Sequence, residues 1–278
     1  MVRLALLGTL SSHTETFCKC AAERSDVQIV GIFGEDPERT EYLSQKYTLD
    51  IKTPEELLSC CDVAAIMFRD GSKHLKYAEP FIRKGTPVFI DKPFTISVAD
   101  AQVLVDLLKQ TGCPFTAGSV VKLSEEILAL KERIAQEAQV LTGYCSFTID
   151  FDSIYGGMHF YSHHLIEEML TLFGTGVRSI TAKRTGKNLA AIAAYDTFQV
   201  IMNYGIRWDQ HYAGFCGANG HEMVSFGWSK AGKAQFDEMI QLALTGESKY
   251  TPEYFLEAVK ISCALEESMI TERTVPLT

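Results

Sequence analysis

The chain reads as an α/β protein: a doubly wound parallel sheet in its first part, then an α+β part with a mainly antiparallel open sheet. Three observations predict this. The first 118 residues alternate short apolar runs with capped helical segments, the βαβα pattern of a parallel sheet with helices on both faces. Beyond residue 143 the strands come grouped, rich in β-branched and aromatic residues and punctuated by Gly205, Gly214, Gly217 and Gly220. Between them, the run Val88-Phe-Ile-Asp-Lys-Pro-Phe-Thr95 ends abruptly in an acid, a lysine and a proline. That puts Lys92 at the carboxyl end of a buried strand, where open α/β sheets hold their ligands.

Taken in order, the first part offers strands at Val2–Leu7, Val27–Phe33, Val63–Met67, Pro87–Ile90 and Phe115–Ala117. Ser12-His-Thr-Glu15 and Thr53-Pro-Glu-Glu56 are capping boxes, the second with proline at the first helical position. Asp36-Pro37 opens a helix to Tyr47, and Ser97-Val-Ala-Asp100 opens one that stops at Gly112. Pro80 falls inside the helical segment from Ser72 to Lys84, which predicts a kink or an interruption there. A polar helix over Ser124–Glu137 leads away from this sheet. The second part carries strands at Tyr144–Phe151, Arg178–Arg184, Ala190–Tyr195, Phe198–Tyr204, His211–Cys216 and Met223–Trp228. Its helices are Phe160–Leu172, Ala231–Leu244 and Pro252–Ile270. The expected domains are residues 1–120 and 121–278.

Composition narrows the function. The 278 residues are 46% hydrophobic and 22% charged, a globular balance, and the net charge is −9. With no basic cluster, nucleic acid and anionic membrane surfaces are not expected partners. No apolar run approaches the roughly 20 residues that span a bilayer, and the start has no signal-peptide layout. The eight cysteines contain no Cys-x-x-Cys pair, which argues against a structural zinc. Free thiols and a cytoplasmic location are expected.

Four segments could carry chemistry. The first is the turn after the first strand: Gly8, Thr9, Leu10, Ser11, Ser12 and His13. A dinucleotide fold places a tight glycine turn here and aims a helix N-terminus at the pyrophosphate. Gly8 fits the first glycine, while Leu10 and His13 hold the second and third positions; Ser11 and Ser12 offer hydroxyls instead. The segment also reads as a plain strand–helix turn. The second is the end of the next strand, where Glu35 could accept bonds from ribose hydroxyls or could be a solvated acid at a helix start; Asp36 is taken as the cap. Gly34 stands where an acid is expected, which leaves room for a 2′-phosphate with Arg39 nearby. In the third, Phe68-Arg-Asp-Gly-Ser-Lys-His74, Arg69 and Lys73 could meet phosphate or substrate oxygens and His74 could line the site; a solvated surface loop is the alternative. The fourth, Gly156-Gly-Met-His-Phe-Tyr-Ser-His-His-Leu-Ile-Glu-Glu168, leads two glycines into a helix with three histidines. His164 suits acid/base work near neutral pH, and Tyr161, three residues earlier, shares its face. His159, His163 and Glu167 also make a possible metal face, but without the His-Glu-x-x-His order no metal is expected.

Together these residues resemble the glucose–fructose oxidoreductase/inositol dehydrogenase (Gfo/Idh/MocA) family, over nearly the whole chain. The resemblance is carried by the start at Gly8, the loop ending in His74, Asp91-Lys92-Pro93 (similar to the family's Glu-Lys-Pro), Gly118-Ser-Val-Val-Lys122 and Gly156-Gly157 with His164-Leu-Ile-Glu167. It implies a Rossmann domain followed by an α+β domain, with NAD or NADP as cofactor and a sugar- or cyclitol-like substrate. It also implies homo-oligomers through the second sheet. By resemblance, Lys92 and His164 are catalytic with Tyr161 beside them, and Lys122 joins them against the substrate. Gly8–His13, Glu35, Arg69, His74 and Asp91 serve the cofactor. The chain departs from the family pattern at Leu10 and His13, at Lys122, and at Phe160, where the family has an aspartate four residues before the histidine. A non-catalytic sensor that keeps the fold, and a metal-assisted lyase or hydrolase at His159, His163 and Glu167, are the other readings.

Overall fold

The computed structural model describes residues 1–277, which divide into two compact units: Met1–Gly118 with Gly232–Leu256, and Ser119–Ala231 with the chain from Glu257 onward. The expected division into two continuous segments at residue 120 thus differs from the contact pattern, in which a late segment returns to the first unit. Each unit is described by itself.

In the first unit, β1 (Val2–Leu7), β2 (Val27–Phe33), β3 (Val63–Ile66), β4 (Val88–Asp91) and β5 (Phe115–Gly118) form one sheet in the order β2-β1-β3-β4-β5. Every pair is parallel. β3, β4 and β5 are buried at every position, as strands covered on both faces must be. The helices between them are α1 (Ser12–Ala22), α2 (Pro37–Tyr47), α3 (Pro54–Cys60), α4 (His74–Lys84) and α5 (Val98–Thr111). The strand order reverses between β1 and β3, so the carboxyl ends of those two strands flank the switch point where such sheets bind ligands.

The Thr53 capping box is complete, and Asp36 and Ser97 cap as their sequences predict. Two local expectations change. The cap of α1 is Ser11, which accepts from His13 N; Glu15, expected in a capping box, instead meets Arg39 and Lys46. α4 runs through Pro80 without interruption. Pro80 is exposed, while Tyr77, Ala78, Phe81 and Ile82 are buried, so packing of the apolar face offsets one missing backbone bond.

α8 (Ala231–Thr245) completes this unit's core. Phe236, Met239 and Ile240 are fully buried in one cluster with Leu4, Leu6, Phe17 and Phe89. The Phe17 ring lies 5.3 Å from Phe236 and 5.4 Å from Phe89.

The second unit holds a seven-stranded sheet in the order β11-β10-β6-β9-β8-β7-β12. Its strands are β6 (Val140–Thr148), β7 (Ser179–Thr185), β8 (Asn188–Ala194), β9 (Gln199–Gly205), β10 (Tyr212–Gly217), β11 (His221–Ser225) and β12 (Val275–Pro276). All pairs are antiparallel except β6 with β9. The short β12 was not legible as a strand. α6 (Glu125–Ile134), α7 (His159–Phe173) and α9 (Pro252–Thr271) are the helices; the boundary between units falls inside α9. Every residue of α7 except Tyr161 and Phe173 is buried. The strands alternate: Cys145, Phe147, Leu189, Ala191, Val200, Met202 and Ala213 face the core. The other face carries Thr181, Ile192, Ile201, Tyr144, Gly214 and Met223 in one cross-strand row. Ile192, Ile201 and Met223 of that row are exposed. No helix is long and apolar enough to cross a membrane.

Candidate active site

In the first unit the site begins at the β1–α1 turn. Gly8 has φ +103°, and a Cβ there would lie 2.5 Å from the backbone of Met67 and Phe68 at the end of β3. Glycine is therefore required where β1 passes closest to β3. Thr14 Oγ1 donates to Gly8 O at 2.5 Å and fixes the turn to α1. Thr9 is buried and its hydroxyl lies 2.9 Å from that of Thr40, so both press on Gly34. Leu10 is exposed. Ser12 is exposed at the head of α1, where a helix N-terminus favours anions. The bare turn at Gly8 and this hydroxyl fit a dinucleotide's pyrophosphate.

Ser11 is spent otherwise. Its hydroxyl accepts from His13 N at 3.2 Å and donates to Asp91 Oδ2 at 3.2 Å. His13 Nδ1 lies 2.9 Å from Asp91 Oδ1, which also accepts from Lys92 N at 2.9 Å. Asp91 is buried, and burial pushes its pKa up; the charge and hydrogen bond of His13, then the charge and N–H of Lys92, outweigh this and hold it below the ordinary value. The third-glycine position, occupied by His13, thus ties the head of α1 to the end of β4. Lys92 follows at the sheet's carboxyl edge, buried, with a cis bond to Pro93.

His74 is fully buried. Nδ1 lies 2.8 Å from Pro93 O and Nε2 2.7 Å from Phe68 O. Burial lowers its pKa, against the raising effect of those carbonyls. It clamps the loop after β3 to the turn after Lys92 rather than lining an open surface. Arg69 is half-buried in that loop. Glu35 pairs with Lys73 and accepts from Tyr77 OH at 2.7 Å. Partial burial raises its pKa, but these two partners win and lower it; the Tyr77 hydroxyl is pushed up to about 12 by burial and by Glu35. Arg39 is held by Glu15 at 2.7 Å.

In the second unit the site is the head of α7. His164 is buried, and its Nδ1 lies 2.7 Å from Ser119 Oγ. Ser119 N donates to Glu167 Oε2 at 2.8 Å, and Lys122 Nζ lies 3.9 Å from the same oxygen. Lys122, at 1% exposure, is among the largest buried side chains, and the Glu167 carboxylate is a counter-charge to it there. Tyr161 is half-buried, and a closed circuit of rings joins it to His164: His164–Tyr161 6.0 Å, Tyr161–Trp208 5.2 Å, Trp208–His211 6.5 Å, His211–Phe147 4.3 Å and Phe147–His164 5.0 Å. Tyr161 and Trp208 also wall a cavity of about 320 Å³ whose rim includes Asp150, Asp152, Arg184 and Lys187.

The metal face does not assemble. His159 meets Ser262 Oγ at 2.8 Å and Glu266 Oε2 at 3.1 Å, ring nitrogens that a metal would need. Among the described residues no three His, Cys, Asp or Glu side chains are placed to hold a metal ion. Sequence reasoning missed Ser119, Trp208 and His211. Ser119 had a usable signal, since it follows Gly118 at the end of a predicted strand; Trp208 and His211 had none, because they reach Tyr161 and His164 of α7 from the loop between β9 and β10.

A doubly wound parallel sheet with a glycine-first turn at its switch point, joined to an α+β unit, defines a two-unit dinucleotide-binding architecture. Residues 2–119 match the Gfo/Idh/MocA model, described as an oxidoreductase family with an NAD-binding Rossmann fold. Solved structures share the fold end to end. Scyllo-inositol dehydrogenase from Lactobacillus casei, with bound NAD(H) and scyllo-inositol, is 13% identical with TM-score 0.88, covering 99% of each chain. Myo-inositol 2-dehydrogenase from Lactobacillus plantarum is 12% identical with TM-score 0.88, covering 100% of this chain and 99% of that one. GenD2 from gentamicin A biosynthesis, in complex with NAD, is 14% identical with TM-score 0.86, covering 100% and 96%. No curated protein matches the sequence.

Proposed function

We propose that the protein is a nicotinamide-dependent oxidoreductase acting on a hydroxyl or carbonyl of a sugar- or cyclitol-like molecule. One observation carries this reading: Lys92 stands at the carboxyl edge of β4, with the preceding Asp91 bound to the head of α1 by Ser11 and His13. A cation is thereby fixed beside the turn that suits a pyrophosphate. Gly8, Thr9, Leu10 and Ser12 form that turn, with Ser11 and His13 holding it to Asp91. Glu35 meets the ribose in exchange for one of its present partners, and Arg69 borders the phosphates. His74 sets the two loops around them. The nicotinamide, when bound, takes or gives the hydride. Lys92 hydrogen-bonds the reacting oxygen and stabilises its alkoxide character, while His164, flanked by Tyr161, moves the proton. Lys122 acts through Glu167 on the same helix. Solved structures of the same fold that hold NAD support the choice of cofactor class, and the one that holds scyllo-inositol supports a polyol. The cavity walled by Tyr161 and Trp208, with carboxylates and cations at its rim, suits a ring with one apolar face and many hydroxyls. The unpartnered row Ile192, Ile201, Tyr144 and Met223 supports homo-oligomers through the second sheet.

A second reading, a ligand-binding regulator without turnover, is favoured by one fact: the Ser11 hydroxyl is already donated to Asp91. Calorimetric titration of ligand-stripped protein with NADH and NADPH separately decides between them. Micromolar binding of either supports the oxidoreductase; binding of neither, with retained affinity for a polyol, supports the regulator.

A further inference from the structure

The buried pair Ser119–His164 carries more than packing. Ser119 Oγ accepts from Val121 N at 3.1 Å, capping the turn Val120–Leu123. Ser119 is fully buried, so its hydroxyl proton must find an acceptor within the protein. The acceptor in reach is His164 Nδ1, at 2.7 Å. A ring nitrogen that accepts a hydrogen bond carries no proton, and neutral imidazole then bears its single proton at Nε2. Position 160, one turn before His164 on α7, is phenylalanine, so the helix brings no carboxylate of its own from that turn.

We propose that Ser119 is the positioning residue for His164: its hydroxyl donates into Nδ1, holds the neutral ring in the Nε2–H form and turns Nε2 toward the reacting oxygen. The proposal rests on the role given to His164 above. In this state His164 meets the substrate oxygen as a donor. To take a proton from a substrate hydroxyl at Nε2, the ring would need its proton at Nδ1, which leaves the buried Ser119 proton without that acceptor, so the tie favours the donor state. Glu167 accepts from Ser119 N and so fixes the serine.

The test is ¹⁵N NMR of histidine-labelled protein, without cofactor or substrate, on the unaltered chain, Ser119→Ala and Ser119→Thr, with His164→Gln to assign the signal. The expected result is a predominant Nε2–H form in the parent, a tautomer mixture in S119A, and recovery of the parent pattern in S119T. With a working substrate, S119A should lower kcat by tenfold or more with KM within about threefold, and S119T should recover most of it. Melting curves separate loss of the turn cap, which shifts stability alone. A parent ring in the Nδ1–H form, or an S119A spectrum identical to the parent, overturns the proposal. The spectra need no turnover, so a shifted tautomer in a protein that never turns over would sink the oxidoreductase reading and leave only the Ser119 hold on the His164 tautomer standing.

Discussion

His13 Nδ1 sits 2.9 Å from Asp91 Oδ1, joining the head of α1 to the end of β4 across 78 residues of sequence. The pair replaces what a third glycine would provide by close approach with a polar tie. His13→Ala removes the strongest counterweight to burial of the Asp91 carboxylate. The expected loss is about 1–3 kcal/mol at pH 7, the cost of stranding a buried polar group. Because the folded pKa of Asp91 is depressed, its stabilisation is present above the ordinary carboxylate value and is lost as pH falls through the folded one. H13A should therefore unfold at a higher pH on acid titration than the parent, as followed by circular dichroism.

Gly8→Ala should be far more damaging than its size suggests. The added Cβ meets backbone atoms at 2.5 Å and the φ is +103°. A loss of roughly 2–5 kcal/mol is expected from overpacking and backbone strain together. Urea unfolding measures it, and an equal stability for both proteins would refute the close approach.

Lys92→Ala should leave the fold and dinucleotide affinity near the parent's and lower turnover by a factor on the order of hundreds or more. Steady-state kinetics with the true substrate tests this; a change under fivefold would remove Lys92 from the chemistry.

Glu168 is fully buried, and burial drives its pKa well above the ordinary value against a weak lowering contact with Cys145. A raised folded pKa means stability present below the unfolded value, near 4.3, and lost as pH rises toward the folded one, at up to about 1.4 kcal/mol per pH unit. Glu168→Gln has no such slope. Melting temperatures of the two should converge near pH 4 and separate as pH rises, with E168Q the more stable at pH 8.

The parallel sheet was legible because its strands are apolar runs bounded by capped helices, and both signals are local. β4 could be read to within a residue, and Lys92 with it. The second sheet was legible as alternation, but the parallel pairing of β6 with β9 was not: alternation reports which face is buried and says nothing of the neighbour's direction. For the same reason the sequence marked His13 as a defect in a glycine pattern. Only the fold shows that its partner is Asp91. Likewise Phe160 looked like a missing aspartate, while a hydroxyl that meets His164 comes from Ser119, in another element altogether. Side-chain chemistry between distant segments is set by topology, and periodicity carries no record of it.

α8 has a consequence for how the molecule is made. When the first 118 residues have left the ribosome, all five parallel strands exist, yet Phe236, Met239 and Ile240 do not. The sheet's apolar flank beside Phe17 then has no cover until more than a hundred further residues have been added. Translation therefore delivers the Rossmann half first but closes it nearly last. A ribosome stalled between those points holds a nascent chain with a sticky, unfinished face, the kind of species that chaperones engage. Cutting the gene after codon 120 would freeze that state permanently.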